Sequence, residues 1–178
     1  MKNKFNQSTF KLTIAAGMAL GTVVLSVPAY AVSPAQENLS VSASIGTSCT
    51  ITTTNLDFGA YDAVVTNASA ALTAVGGVSS TCSIGSSGNI KMDEGLHAGS
   101  GSTAGVPVRR MVAGSDATKF LNYSVFSDLA MTTVWENATG KPYTGTGSAV
   151  ALTVYGSVPA AQTTAVVGSY TDTLQVSI

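Results

Sequence analysis

The sequence predicts an all-β domain of the sandwich type, and three observations lead there. Charged residues make up only 10% of the chain, while Ser, Thr, Gly, Ala and Val dominate, a composition that suits strands better than helices. Short alternating apolar–polar runs recur between Gly- and Pro-marked turns. Beyond the first thirty or so positions, no stretch shows the three-to-four periodicity of an amphipathic helix.

The elements follow in order. Lys2, Lys4 and Lys11 precede a mostly small and apolar run, Leu12 to Val27, and Ala29-Tyr30-Ala31 fits a small-x-small cleavage site. These features predict a secretory signal over residues 1–31. Its apolar core is broken by Gly17 and Gly21 and is short for a spanning helix, which needs about 20 apolar residues. The mature chain, Val32 to Ile178, has the length of one domain with no further membrane segment. ENLSVSASIG, Glu37 to Gly46, alternates strictly, with Leu39, Val41, Ala43 and Ile45 on one side and serines or Asn38 on the other. That is the pattern of a strand with one apolar face.

Further strands are expected at Cys49–Thr52, Gly77–Ile84, Asn89–Asp93, Val108–Val112, Phe120–Phe126, Met131–Trp135 and Val150–Val154. A closing strand is expected from Tyr170 to Ile178, with Leu174, Val176 and Ile178 on one face. Leu56-Asp57-Phe58-Gly59 ends in a turn signal, while 63–77 reads as a loop with one strand. Leu96–Val106, Gly140–Gly147 and Pro159–Gly168 read as loops.

Charge and cysteine usage narrow the function. The signal holds three of the eight basic residues. Lys91, Arg109, Arg110, Lys119 and Lys141 then face nine acids, five minus nine, for a mature net charge of −4. A nucleic-acid binder needs a basic stripe, and a polybasic membrane surface is equally excluded. Cys49 and Cys82 are the only cysteines. In an exported chain they predict a structural disulfide, for which the chain-entropy model gives about 3–4 kcal/mol.

Catalytic and metal signals are thin. His97 is the single histidine. It lies in a Gly/Ser loop with no Gly-x-Ser-x-Gly elbow, so it reads as a solvated loop residue. One histidine and a disulfide leave no zinc set. Asp93-Glu94 lacks the spacing of a calcium loop and reads as a strand boundary. Gly99 to Gly105 has the wrong spacing for a dinucleotide loop, and no helix follows. Asn67, Asn122 and Asn137 each begin an Asn-x-Ser/Thr triplet, which carries no weight. Arg109-Arg110 reads as an exposed pair, or as one arginine partnering an acid such as Asp128. Trp135, Tyr123, Tyr155 and Tyr170 sit among aliphatics at strand spacing, which points to core packing over a sugar platform. No metal, cofactor or catalytic residue is expected.

An ordered set of motifs carries a family resemblance. Cys49, Leu56-Asp57-Phe58-Gly59-Ala60-Tyr61 and Cys82 resemble the first half of the spore coat U domain. Arg110-Met111, Leu121-Asn122-Tyr123-Ser124-Val125-Phe126-Ser127-Asp128, Trp135, Val154-Tyr155-Gly156-Ser157-Val158-Pro159, Gln162 and Gly168-Ser169-Tyr170-Thr171-Asp172 resemble its second half. In order and spacing the set, over about Leu39 to Ile178, is similar to the Csu-type pilins of archaic chaperone–usher pili. Glu136 stands after Trp135 where a glycine is common in the family.

The resemblance implies an immunoglobulin-like sandwich that lacks its final strand. A periplasmic chaperone first lends a strand to the open groove. At the outer-membrane usher, the N-terminal extension of the next subunit replaces it. Strand addition of this kind uses main-chain hydrogen bonds and side-chain pockets. The implied organisation is a signal over 1–31, an extension over 32–46 and a sandwich over 47–178. Leu39, Val41, Ala43 and Ile45 would be the donor residues. The implied role is a pilus subunit at the cell surface, serving attachment and biofilm formation and not catalysis. Three rival expectations remain: a monomeric carbohydrate-binding module, a protein of a spore or outer coat, and a secreted hydrolase using His97, which full function in His97→Ala would remove.

Overall fold

The computed structural model describes residues 34–178; the signal expected over 1–31 lies outside them. Alternation shapes the long strands. Along β2 (Leu72–Cys82) the inward positions are Ala74, Gly76, Val78, Ser80 and Cys82. Along β5 (Asp116–Phe126) they are Leu121, Tyr123 and Val125, and along β7 (Ala149–Val158) Val154, Gly156 and Val158. The remaining strands are β1 (Cys49–Thr54), β3 (Ser87–Met92), β4 (Arg109–Ala113), β6 (Lys141–Thr144), β8 (Tyr170–Thr171) and β9 (Val176–Ser177). All pairings are antiparallel. They build a six-stranded sheet, β1-β2-β7-β5-β4-β8, and a three-stranded sheet, β6-β3-β9. The described residues contain no helix, and the curled sheets make a sandwich-like all-β fold.

Between the sheets lie Val78, Leu121, Val125, Val154 and Val158 from the larger sheet and Ile90 and Met92 from the smaller. Trp135 is buried with them, and its indole N–H donates to the Ile90 carbonyl at 2.9 Å. Gly156 lets two side chains pack close: a Cβ there would meet Leu56 Cδ2 at 2.5 Å and Phe58 Cζ at 2.7 Å, so both would have to shift.

Edge strand β1 is stapled to β2 where Cys49 faces Cys82. The two Cα atoms lie 4.1 Å apart and the sulfurs are bonded. Replacing both cysteines with serine is expected to cost about 3–4 kcal/mol, read as a lowered urea midpoint. An unchanged midpoint would contradict a stabilising bridge.

The structure departs from the expected strands at four places. Strand β2 begins at Leu72, five residues before the expected Gly77, because the Gly76-Gly77 pair hides the apolar alternation. Inside the expected loop Gly140–Gly147, Lys141–Thr144 forms an edge strand on β3. Met131–Trp135 is β-prone but folds as a turn. The Asp128 carboxylate accepts from Thr132 N–H, Thr132 Oγ1 and Thr133 N–H, Met131 takes φ +53°, and a single bridge joins Phe126 to Val134.

The expected closing strand is split. Its first part joins β4 and its last part joins β3, because Asp172 turns inward to polar partners described below. Residues 37–46 have the expected alternation but no ladder: 34–48 contains no strand.

The Thr133 backbone N–H and, next, the Thr132 hydroxyl hold the Asp128 carboxyl below its ordinary value, which is about 3.9. A depressed native pKa stabilises fully above the unfolded value and is lost as pH falls through the native one. Amide exchange at Thr133, corrected for intrinsic rates, is expected to lose protection below that range. Protection that stays unaltered down to the pH at which the subunit unfolds would contradict it.

Candidate functional site: a groove between two open edges

The larger sheet curls so that both of its edges line one groove of about 620 Å³. One wall is β1 and its continuation, with Thr53, Thr54, Leu56 and Phe58. The opposite wall is Tyr170, Thr171, Leu174 and Val176. Val78, Val125 and Val154 from the large sheet and Met92 from the small one lie at its floor. β1 pairs only with β2, β8 only with β4, and β9 only with β3. The groove therefore runs between strand edges whose outward N–H and C=O groups have no strand partner among the described residues. Unpaired edges over an apolar floor are a template for strand addition.

The alternating segment is exposed. Leu39, Val41 and Ile45 are 88%, 85% and 94% exposed. Ala43 and the serines between them are exposed as well. From Leu39 to Ile45 an extended chain spans about 20 Å. The root of the segment is fixed: Ser48 N–H donates to Ser83 Oγ at 3.2 Å, and Ser83 N–H donates to the Ser48 carbonyl at 2.9 Å.

One wall of the groove rests on a polar cluster that sequence reasoning missed. The Asp172 side chain is 2% exposed. Its Oδ2 accepts from Tyr123 OH at 2.6 Å, and its Oδ1 accepts from Leu96 N–H at 3.1 Å and sits 3.1 Å from His97 Nδ1. Burial, and then the bond to Asp172, raise the Tyr123 phenol, so it stays a protonated donor. Gly95, at φ +81°, leaves the room that Asp172 occupies. Asp93 Oδ1 accepts the N–H groups of Gly95 and Gln175, tying residues 172–175 to the end of β3.

The arginine pair is corrected. Arg109 is 2% exposed. Its Nη2 donates to the carbonyls of Met92, Asp93 and Trp135, and its Nε to Asp93. Burial pulls its guanidinium below the ordinary value, against the pull of Tyr123 and the nearby acids. Its Nη1 has no partner. Arg110 donates to the carbonyls of His97 and Ala98. Neither arginine meets Asp128. His97 is likewise tethered to Asp172 and not a freely solvated loop residue. No local signal marks Arg109: only the pairing of β4 with β5 sets it opposite Tyr123, whose neighbours are core.

Trp135 and Tyr123 are 1% and 6% exposed, so neither offers a face to a sugar. Among the described residues no group of three metal-binding side chains forms. No helix there is long and apolar enough to cross a membrane.

The two curled sheets and the groove between open strand edges define an all-β, sandwich-like domain. Residues 35–177 match the family model of the Spore Coat Protein U domain, and the chain belongs to that family. It is 36% identical over 179 residues to "Protein U" of Myxococcus xanthus, covering 96% of this chain and 98% of that one. Among solved structures it is similar to one chain of the CsuC–CsuE chaperone–tip adhesion subunit pre-assembly complex from archaic chaperone–usher Csu pili of Acinetobacter baumannii. That likeness has 19% identity and a TM-score of 0.47, covering 75% of this chain and 39% of the other. The chain thus spans about two fifths of the length of that solved chain.

Proposed function

We propose that this protein is a structural subunit of a thin surface pilus, polymerised head to tail by donor-strand exchange. In this reading residues 1–31 are a secretory signal, 32–46 an extension carrying the donor strand, and 47–178 the acceptor sandwich. Leu39, Val41, Ala43 and Ile45 enter the groove of the neighbouring copy. Before that a periplasmic chaperone fills the groove, and an outer-membrane usher exchanges the two strands. Attachment and biofilm formation follow from the fibre, and the work is polymerisation, not catalysis.

The observation that carries the reading is the groove between the β1 and β8/β9 edges, matched by an exposed segment whose apolar residues repeat every second position. Burying Leu39, Val41 and Ile45 contributes roughly 5–9 kcal/mol gross, and main-chain bonds to two edges add direction. A head-to-tail contact does not close on itself, so it yields a fibre.

A peptide of residues 37–46 added to the chain lacking 32–46 tests the groove. It is expected to raise the thermal unfolding midpoint, while the same peptide with Val41 changed to Asp leaves it unchanged. Equal effects of both peptides would contradict the assignment.

A coat protein is the second reading. The family's name and the 36% identity to Protein U favour it. Negative-stain microscopy of producing cells separates the two: filaments support the pilus, and a continuous surface layer supports the coat.

A further inference from the structure

A second concavity lies away from the groove, between strands β4 and β5 and the loop at 161–164, with a volume of about 390 Å³. Among the described residues the cationic side chains are Lys91, Arg109, Arg110, Lys119 and Lys141. Arg109 is spent on buried carbonyls, and Lys141 Nζ donates to the Ser127 carbonyl at 2.8 Å. Arg110 and Lys119 line this one depression together, and no acidic side chain lines it. Asp116 is close enough to Lys119 to feel its charge, but its carboxylate is held by the N–H and hydroxyl of Thr118.

The walls are fixed in advance. The Gln162 side chain takes the Asn122 N–H at 2.7 Å and gives to the Asn122 carbonyl at 2.9 Å, as a strand would. Tyr61 OH accepts the Gln162 N–H at 3.0 Å, and Ala161 N–H donates to the Asn67 carbonyl at 2.9 Å. Arg110 lies with its guanidinium carbon 4.0 Å from the centre of the Phe120 ring, with Nε and Nη2 bound to the carbonyls of His97 and Ala98. A rigid wall lowers the ordering cost of a ligand.

The groups left over decide the ligand class. The hydroxyls of Thr163 and Thr164 and the side-chain amide of Asn122 make no hydrogen bond among the described residues, and neither does the Lys119 ammonium. A neutral glycan would leave the Lys119 ammonium, and the Arg110 Nη1 group that remains free of the His97 and Ala98 carbonyls, without a counter-charge. An acidic peptide would pair the cations and offer backbone amides, but it carries no ring of hydroxyls beside its carboxylate. A sugar acid satisfies both sets, its carboxylate toward Lys119 and Arg110 and its hydroxyls toward the threonines and Asn122. We propose that this depression is a binding site for a carboxylate-bearing saccharide of the uronic acid class, whether a free oligosaccharide or part of a polysaccharide.

Calorimetric titration of the full secreted chain with an oligogalacturonate at low salt tests the site. Maltooligosaccharide of equal length and poly-glutamate serve as comparisons. The uronate is expected to bind saturably and to weaken with added salt, with both comparison ligands at least about tenfold weaker, a difference of about 1.4 kcal/mol. Lys119→Gln is expected to weaken it about fivefold. Thr163→Val with Thr164→Val is expected to weaken it with the unfolding midpoint unchanged. No saturable uronate binding, or the same affinity in Lys119→Gln, overturns the proposal. Poly-glutamate binding as tightly as the uronate overturns the saccharide class, and so does equal binding of the neutral glucan.

Discussion

Val41→Asp is expected to abolish fibre growth while leaving the chaperone-bound subunit intact. Val41 lies at the centre of the alternating segment and is 85% exposed in the isolated chain. A carboxylate there costs the free chain nothing, because it stays in water. In the groove of the next copy it would replace about 1.5–3 kcal/mol of valine burial with a desolvation cost of several kcal/mol for an unpaired charge. At about 1.4 kcal/mol per tenfold, exchange loses at least three orders of magnitude. On the proposed function the chaperone complex is spared, because the chaperone's strand would fill the groove there and the subunit's own Val41 would not be used. Isolating the complex and counting fibres by microscopy checks both halves. Normal fibres would remove Val41 from the donor strand. Loss of the complex as well would mean that Val41 serves the fold of its own subunit.

Arg109→Met is expected to destabilise the subunit by about 3–5 kcal/mol. Methionine fills much of the same space but donates nothing, so the carbonyls of Met92, Asp93 and Trp135 lose their shared donor in a buried place. Those carbonyls close the end of β3 and the base of the Trp135 turn, so the damage reaches the groove floor through Met92. Arg109→Lys should recover less than half of the loss, since a single ammonium cannot copy the planar fork. Urea unfolding of the strand-complemented subunit measures this. A loss under about 1 kcal/mol would show that solvent satisfies the three carbonyls instead.

The parts of the fold that could be read from the chain are those where alternation meets a one-sided sheet. Leu121, Tyr123 and Val125 place β5 and its inward face without help, and Val150, Leu152 and Val154 place the first part of β7, of which only Val154 is fully buried. Cys49 and Cys82 were legible as a bridge from composition and compartment. Long-range polar satisfaction was not legible. Two adjacent arginines look like surface charge until the strand's register puts one opposite Tyr123. Asp172 resembles any strand-end acid, yet its partners His97 and Tyr123 lie 75 and 49 positions away. The Tyr170–Ile178 pattern is that of one strand, and only the inward turn at Asp172 divides it between two sheets. The groove itself leaves no local mark, because a missing strand is a property of two sheet edges far apart in the chain. The alternation of residues 39–45 was visible. That the segment pairs with nothing among the described residues was not.

The central claim is exchange of that segment between copies. The most direct measurement compares the chain carrying residues 32–46 with the chain lacking them, each co-expressed with candidate periplasmic chaperones and run unheated on a denaturing gel. A ladder of polymers is expected from the first, collapsing to monomer on boiling, and no ladder from the second. A folded monomer from both chains would mean the sandwich is complete without a donor, and would contradict the claim.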